Sequence, residues 1–223
     1  EKYHDLVVNT HLSFINSGAD VIVTNNFSSR RQRLKQNKVE NKFDYLNIKA
    51  GELAVKAREK SKKNIYIAGC LPAQNDTYVS DLREMNVIKK DFADQANLIK
   101  PFVDFFYLDV ISSGNEVEAA LNITEKLNMP VLVGLHIKKN GKLPSDETIT
   151  EIVKKYKTNN WIGLIAACVS LEIVEKSCSE LKNLNIPYGF KANLWGVEEP
   201  LPVHVFNTAK FNEIGKNPNI RLG

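Results

Sequence analysis

The sequence predicts an α/β fold built on a parallel sheet, and three observations carry that prediction. Short, β-branched apolar runs alternate strictly with segments of helical period, the pattern of strand–helix–strand crossovers. Each run is apolar along nearly its whole length, as befits strands covered on both faces. No Gly-x-Gly-x-x-Gly follows the first run, which argues against a dinucleotide-binding sheet.

The elements follow in order. Residues 3–17 form a helix, with Leu6, Val7, Phe14 and Ile15 at helical spacing and Gly18 at the C-cap position. Residues 19–24 (ADVIVT) form the first strand and residues 43–60 a long helix. Strands at 64–69, 104–109, 130–136, 161–168 and 186–191 alternate with helices at 86–100, 114–128, 146–157 and 171–183. The remainder, rich in Pro and Asn, has no clear period.

Six strands leave two closures, an open doubly wound sheet or a (β/α)₈ TIM barrel. A barrel has eight strands; here a helix leads with no strand before it, and no strand is evident in the trailing segment. That is how a barrel lacking its first and last strands would read. Because the chain opens on Glu1, already next to a helix, residues 1–223 are expected to be a single domain that is a piece of a longer chain.

Composition narrows the partners. Of 223 residues 43% are hydrophobic and 25% charged, with a net charge of only +4, enough for one sizeable core and no argument for nucleic acid. The basic cluster from Arg30 to Lys35 reads as a solvated loop or helix face. No apolar run approaches the roughly 18 residues of a membrane span. No signal peptide is visible, and three cysteines are no disulfide framework, so a reducing, cytoplasmic setting is expected.

In either closure, chemistry collects at the carboxyl ends of the strands. Thr24, Asn26, Cys70, Asp109, His136, Cys168 and Asn193 stand there. The set lacks the paired carboxylates of a glycosidase. Its one lysine, Lys191, offers a Schiff-base alternative, an aldolase or lyase. His136 reads as a loop or rim histidine unless it points inward. Cys70 reads as a small buried hydrophobe or a substitute metal ligand, and Cys178 as helix packing.

Six segments resemble the homocysteine S-methyltransferase family in order and spacing. "NSGADVIVTNNF" (16–27) resembles its AGAD-x-I-x-TNT-[FY] signature, and "IAGCLPAQNDTY" (67–78) its AGS-x-GP loop. "DFFYLDVISSGNEVEAAL" (104–121) resembles D-x-(L)-x-ET…EA, and "MPVLVGLHI" (129–137) sits at P-V-x-V-S-F. "GLIAACVS" (163–170) sits at G-x-N-C-S, and "PYGFKANLWG" (187–196) resembles Y-x-N-x-G. The resemblance implies a (β/α)₈ barrel whose second to seventh strands are the six read here.

It also implies an activity: methyl transfer from a small activated donor to the thiol of homocysteine, with a place in methionine biosynthesis. Zn²⁺ held by three thiolates with one open position would let the substrate thiol enter and lose its proton. Cys168 matches the first ligand; the other two are adjacent cysteines in a Gly-Gly-Cys-Cys-Gly motif. This chain reaches "NPNIRLG" without that motif, so a longer parent is expected to carry it. Asp109 stands where a glutamate would receive the substrate ammonium group, and Thr24, Asn26 and Asn193 would line the pocket. Asn26, Gly134 and Ala167 replace the family's threonine, serine and asparagine. These departures leave an alternative, a repurposed homologue binding a small amino acid without zinc. Two unpaired barrel edges would invite a homo-oligomer.

Overall fold

The computed structural model describes residues 3–193 and 220–221. Seven strands lie parallel in chain order: β1 (Val21–Val23), β2 (Tyr66–Pro72), β3 (Phe105–Ile111), β4 (Val131–Leu135), β5 (Trp161–Val169), β6 (Tyr188–Ala192) and β7 (Ile220–Arg221). Helices α1 (His4–Asn16), α2 (Arg31–Gln36), α3 (Phe43–Ser61), α4 (Met85–Ile99), α5 (Gly114–Lys126), α6 (Ile149–Tyr156) and α7 (Leu171–Lys182) alternate with them. A doubly wound sheet reverses its strand order at a switch point, and this order never reverses. Repeated right-handed crossovers then put the helices on one side and curl the sheet. The result is an α/β fold with a curled parallel sheet, consistent with an incomplete barrel. All six expected strands are present. The two residues of β7, paired with Tyr188 and Gly189, are too few to leave a period in the sequence.

The curl sorts strand residues by parity. One set faces outward: Leu71, Phe106, Leu108, Val131, Val133, Leu135, Leu164 and Ala166 pack in a single cluster with helices α4 to α7. Phe92, Val117, Ile152 and Val174 are among the helical members, each essentially sealed from water. Each such large side chain contributes about 1.5–3 kcal/mol of burial. A smaller cluster joins Val8 and Ile15 of α1 and Ala54 and Ala57 of α3 to Ile22 and Ile67. The opposite parity faces the concave side, where Ala68, Phe105 and Tyr107 meet Leu132 and Ile165.

The residues that end strands also start helices. Ser113 follows β3 and its hydroxyl accepts the Glu116 N–H, capping α5. Ser170 follows β5 and accepts the Ile173 N–H, capping α7. Thr148 and Glu151 form a reciprocal capping box on α6. The first two bonds fix where β3 and β5 give way to helix, and so where their terminal side chains stand.

Helix α3 lies hard against the turn before β3. A Cβ on Gly51 would stand 2.5–2.8 Å from Phe102 atoms. Alanine favours an isolated helix by about 1 kcal/mol over glycine. Gly51→Ala is nonetheless expected to lower stability by about 1–3 kcal/mol through overpacking. Urea denaturation checks this; an unchanged or raised midpoint would refute the close approach.

Candidate active site

Strict alternation would send Cys168 outward, in phase with Leu164 and Ala166. It does not go there. The β5–β6 register shifts between Ala167 and Val169, and Cys168 adopts a left-handed φ of 57°. Such a bulge re-aims one side chain while the strand continues. Val169 returns to the outer cluster, and the Cys168 sulfur lies 3.0 Å from Tyr78 Oη. Asn193 Nδ2 donates to the same sulfur at 3.5 Å, and its backbone N–H donates to the Val169 carbonyl at 2.8 Å. A non-glycine residue held at positive φ is strained, and such strain concentrates at functional sites.

Asp109 stands on the inner face of β3, in phase with Phe105 and Tyr107, and is 5% exposed. Lys191 of β6 donates to its Oδ1 at 2.5 Å, although β4 and β5 lie between the two strands. The same ammonium sits 5.6 Å above the Tyr107 ring. Burial first, then the Asp109 carboxylate, pushes the Tyr107 phenol well above its usual range. Burial, the bond to Cys168 and the charges of Cys168 and Asp109 likewise push the Tyr78 phenol up. Gly134 gives Tyr107 its room: a Cβ there would meet the Leu108 carbonyl at 2.7 Å and the Tyr107 ring at 2.8 Å. A lysine ammonium bound to a carboxylate is no free amine, so this pairing argues against the Schiff-base alternative for Lys191.

Thr24 and Asn26 belong to a buried amide network. The Thr24 hydroxyl donates to Asn26 Oδ1 at 2.6 Å and accepts the Cys70 N–H at 2.9 Å. Asn26 Nδ2 donates to Asn47 Oδ1 and to the Cys70 carbonyl. Gln95 of α4 donates to the same Asn47 oxygen, and Gln74 donates to Gln95. The network ties the ends of β1 and β2 to α3 and α4. Its helical members have no strand-end position to announce them.

The remaining expectations divide. Cys70 is buried, as a small hydrophobe would be, and burial raises its thiol well above the usual value. Cys178 packs half-buried against the outer core. His136 is not a rim histidine: it is 2% exposed, its ring centroid is 4.5 Å from that of Tyr78, and burial lowers its pKa. The cluster read as solvated conceals Arg30, 6% exposed, whose Nη2 donates to Thr77 at 2.8 Å. Burial lowers its pKa. Arg33 and Lys35 are exposed as expected, whereas Leu34 is buried and Arg31 is partly covered, pairing with Asp94 at 2.9 Å. The end of the last matching segment, 194–196, lies outside the described residues.

Among the described residues, Cys168 is the single side chain of the expected zinc set. Cys168 offers an inward sulfur, the donor type zinc selects. Among the described residues, however, no three His, Cys, Asp or Glu side chains stand close enough to hold a metal. The chain's other cysteines are the sealed Cys70 and the outer Cys178. The described residues therefore fit a single ligand and not a complete centre.

A curled parallel sheet with a polar cluster at its strand ends defines an α/β fold consistent with an incomplete barrel. The homocysteine methyltransferase MmuM from Escherichia coli shares it. In the metallated form the TM-score is 0.75 at 17% identity, covering 85% of this chain and 72% of that one. In the apo form it is 0.67 at 16% identity, covering 85% and 71%. A dihydrodipicolinate synthase from Bacillus clausii follows the same fold less closely, with TM-score 0.52 and 13% identity over 85% and 55% of the chains. No protein of curated function matches by sequence. The sequence profile of the homocysteine S-methyltransferase family matches residues 2–211, and the chain belongs to that family of methyltransferases. Among the described residues, no helix is long and apolar enough to cross a membrane.

Glu116, beneath the site, supplies a pH signature. Burial raises its pKa from 4.5 to about 7, against the opposing bonds from the Ser113 hydroxyl and Ser112 N–H. The folded state therefore holds a proton that the unfolded state releases above about 4.5. The stability this contributes is fully present below pH 4.5 and is lost as pH rises through about 7, a change of about 3 kcal/mol. Glu116→Gln should flatten that part of the profile. Urea unfolding at several pH values checks it; an equally steep fall in the variant would assign the dependence elsewhere.

Proposed function

We propose that the protein transfers a methyl group from a small activated donor to the thiol of homocysteine. The observation that carries this is the inward turn of Cys168 at the β5 bulge, at the position matching the family's first zinc ligand. When bound, Zn²⁺ would supply a Lewis acid that lets the substrate thiol ionise near neutral pH. Two further thiolates are needed, and they have to come from outside these residues. In this reading the six principal strands are the second to seventh of a family barrel, forming one domain.

The chain's own residues then bind and orient. Asp109 receives the substrate ammonium group. Asn193 holds the Cys168 sulfur and the pocket wall beside it. Thr24 and Asn26 shape the pocket without reaching into it, because their polar atoms bond to each other, to Asn47 and to the Cys70 backbone. Tyr78, backed by the His136 ring, covers the Cys168 sulfur and limits water there. The free thiols fit a reducing compartment such as the cytoplasm.

A second reading, a homologue that binds a small amino acid without zinc, is favoured by the lysine already seated on Asp109. Metal analysis of the full-length protein separates the two. The transferase reading expects about one zinc per chain, lost together with methyl transfer in Cys168→Ser. Equal zinc in wild type and variant removes Cys168 as a ligand; homocysteine binding with no zinc in the wild type favours the binder.

A further inference from the structure

The geometry points to Lys191 as the residue that reads the carboxylate of the acceptor amino acid, by exchanging its bond to Asp109 for one to the substrate. The inference rests on the proposed use of this site for an α-amino thiol. While the Lys191 ammonium is on Asp109 at 2.5 Å, an incoming substrate ammonium group would meet a like charge already paired with that carboxylate. One of the two must move. The Asp109 side chain is 7% exposed and fixed on a strand, whereas that of Lys191 is 44% exposed on a flexible four-carbon stem. The lysine is the mobile partner.

Where it goes follows from charge. Leaving Asp109 alone would strand a buried carboxylate, and leaving the lysine beside an incoming ammonium would set two like charges together. A zwitterion removes both costs. Its ammonium takes the place of the lysine on Asp109, and its carboxylate receives the displaced lysine. Two ion pairs form from one, no charge is left unmatched, and the site is neutral before and after. A thiol carrying only an amine, or only an acid, leaves one member of the pair without a partner. Position supports the same assignment. Lys191 and Asn193 stand two residues apart at the end of β6, with Asn193 on the Cys168 sulfur. Tyr78 touches that sulfur and feels the Asp109 charge. The sulfur and the ion pair thus share one mouth.

The test is equilibrium binding to the full-length protein of homocysteine, of 3-mercaptopropylamine, which lacks the carboxylate, and of 4-mercaptobutanoate, which lacks the amine. Wild type should favour homocysteine over either analogue by roughly 10-fold or more. Lys191→Gln should abolish the preference for homocysteine over 3-mercaptopropylamine, because the carboxylate loses its partner while the amine no longer strands a lysine, and Lys191→Arg should keep most of it. Wild type binding homocysteine and 3-mercaptopropylamine equally overturns the inference, and that readout needs no variant to fold. So does a Lys191→Gln variant that keeps the wild-type preference for homocysteine over 3-mercaptopropylamine, both bound more tightly by the same factor, since the lysine would then be only a plug. If wild type binds no thiol at all, the transferase reading falls along with this one. If homocysteine binds and methyl transfer proceeds with Lys191 silent, only this inference fails.

Discussion

The contact between Lys191 and Asp109 exists only because the sheet curls. Their strands are separated by two others, and in a flat sheet strands stand about 4.8 Å apart, so these side chains could not meet face to face. The unreversed strand order, with its helices on one side, bends the sheet until β3 and β6 look at each other. The approach of Tyr78, after β2, to Cys168 on β5 has the same origin. The proposed binding groups depend on that curvature together, because they come from the ends of β1, β3, β5 and β6.

Curvature alone does not aim the groups. A two-residue period divides each strand into an outer and an inner set, and it assigns Cys168 to the outer one. The bulge corrects the assignment at the cost of a left-handed cysteine. A similar irregularity follows Asp109, where the β3–β4 register shifts between Leu108 and Ile111 and Val110 takes a φ of 62°. A β-branched residue resists that conformation more than cysteine does. Both departures from regular pairing sit next to a residue proposed to act, and the core behind them stays intact because Val169 and Ile111 resume outward packing.

This explains how far the site is legible in the sequence. The strands are legible because they are apolar and bounded by helices of clear period. The strand ends are legible because polar residues interrupt that apolarity at Thr24, Asp109 and Cys168. Orientation is not legible: nothing in "GLIAACVS" announces that the period breaks before its cysteine. Tyr78 is hidden for a related reason, since a loop has no period to interrupt. Asn47 and Gln95 lie on helices, where an amide reads as surface, yet they complete the network around Asn26. Arg30 is masked by its neighbours, a run of charge in which one member is sealed off by Phe27 and Thr77.

The inner-face residues read in the sequence as departures from the family pattern are coupled through contact. A side chain at 134 would collide with both Tyr107 and the Leu108 carbonyl, so glycine there goes with a tyrosine at 107. The Tyr107 ring in turn lies under the Lys191 ammonium, and Lys191 occupies Asp109. A shorter acidic side chain than glutamate sits deeper on its strand, and the long lysine spans the space that leaves. Read one at a time, the glycine and the aspartate look like losses from a catalytic pattern. Packed together with Tyr107 and Lys191, they form one continuous arrangement, in which the inner layer meets a half-exposed cation at its mouth.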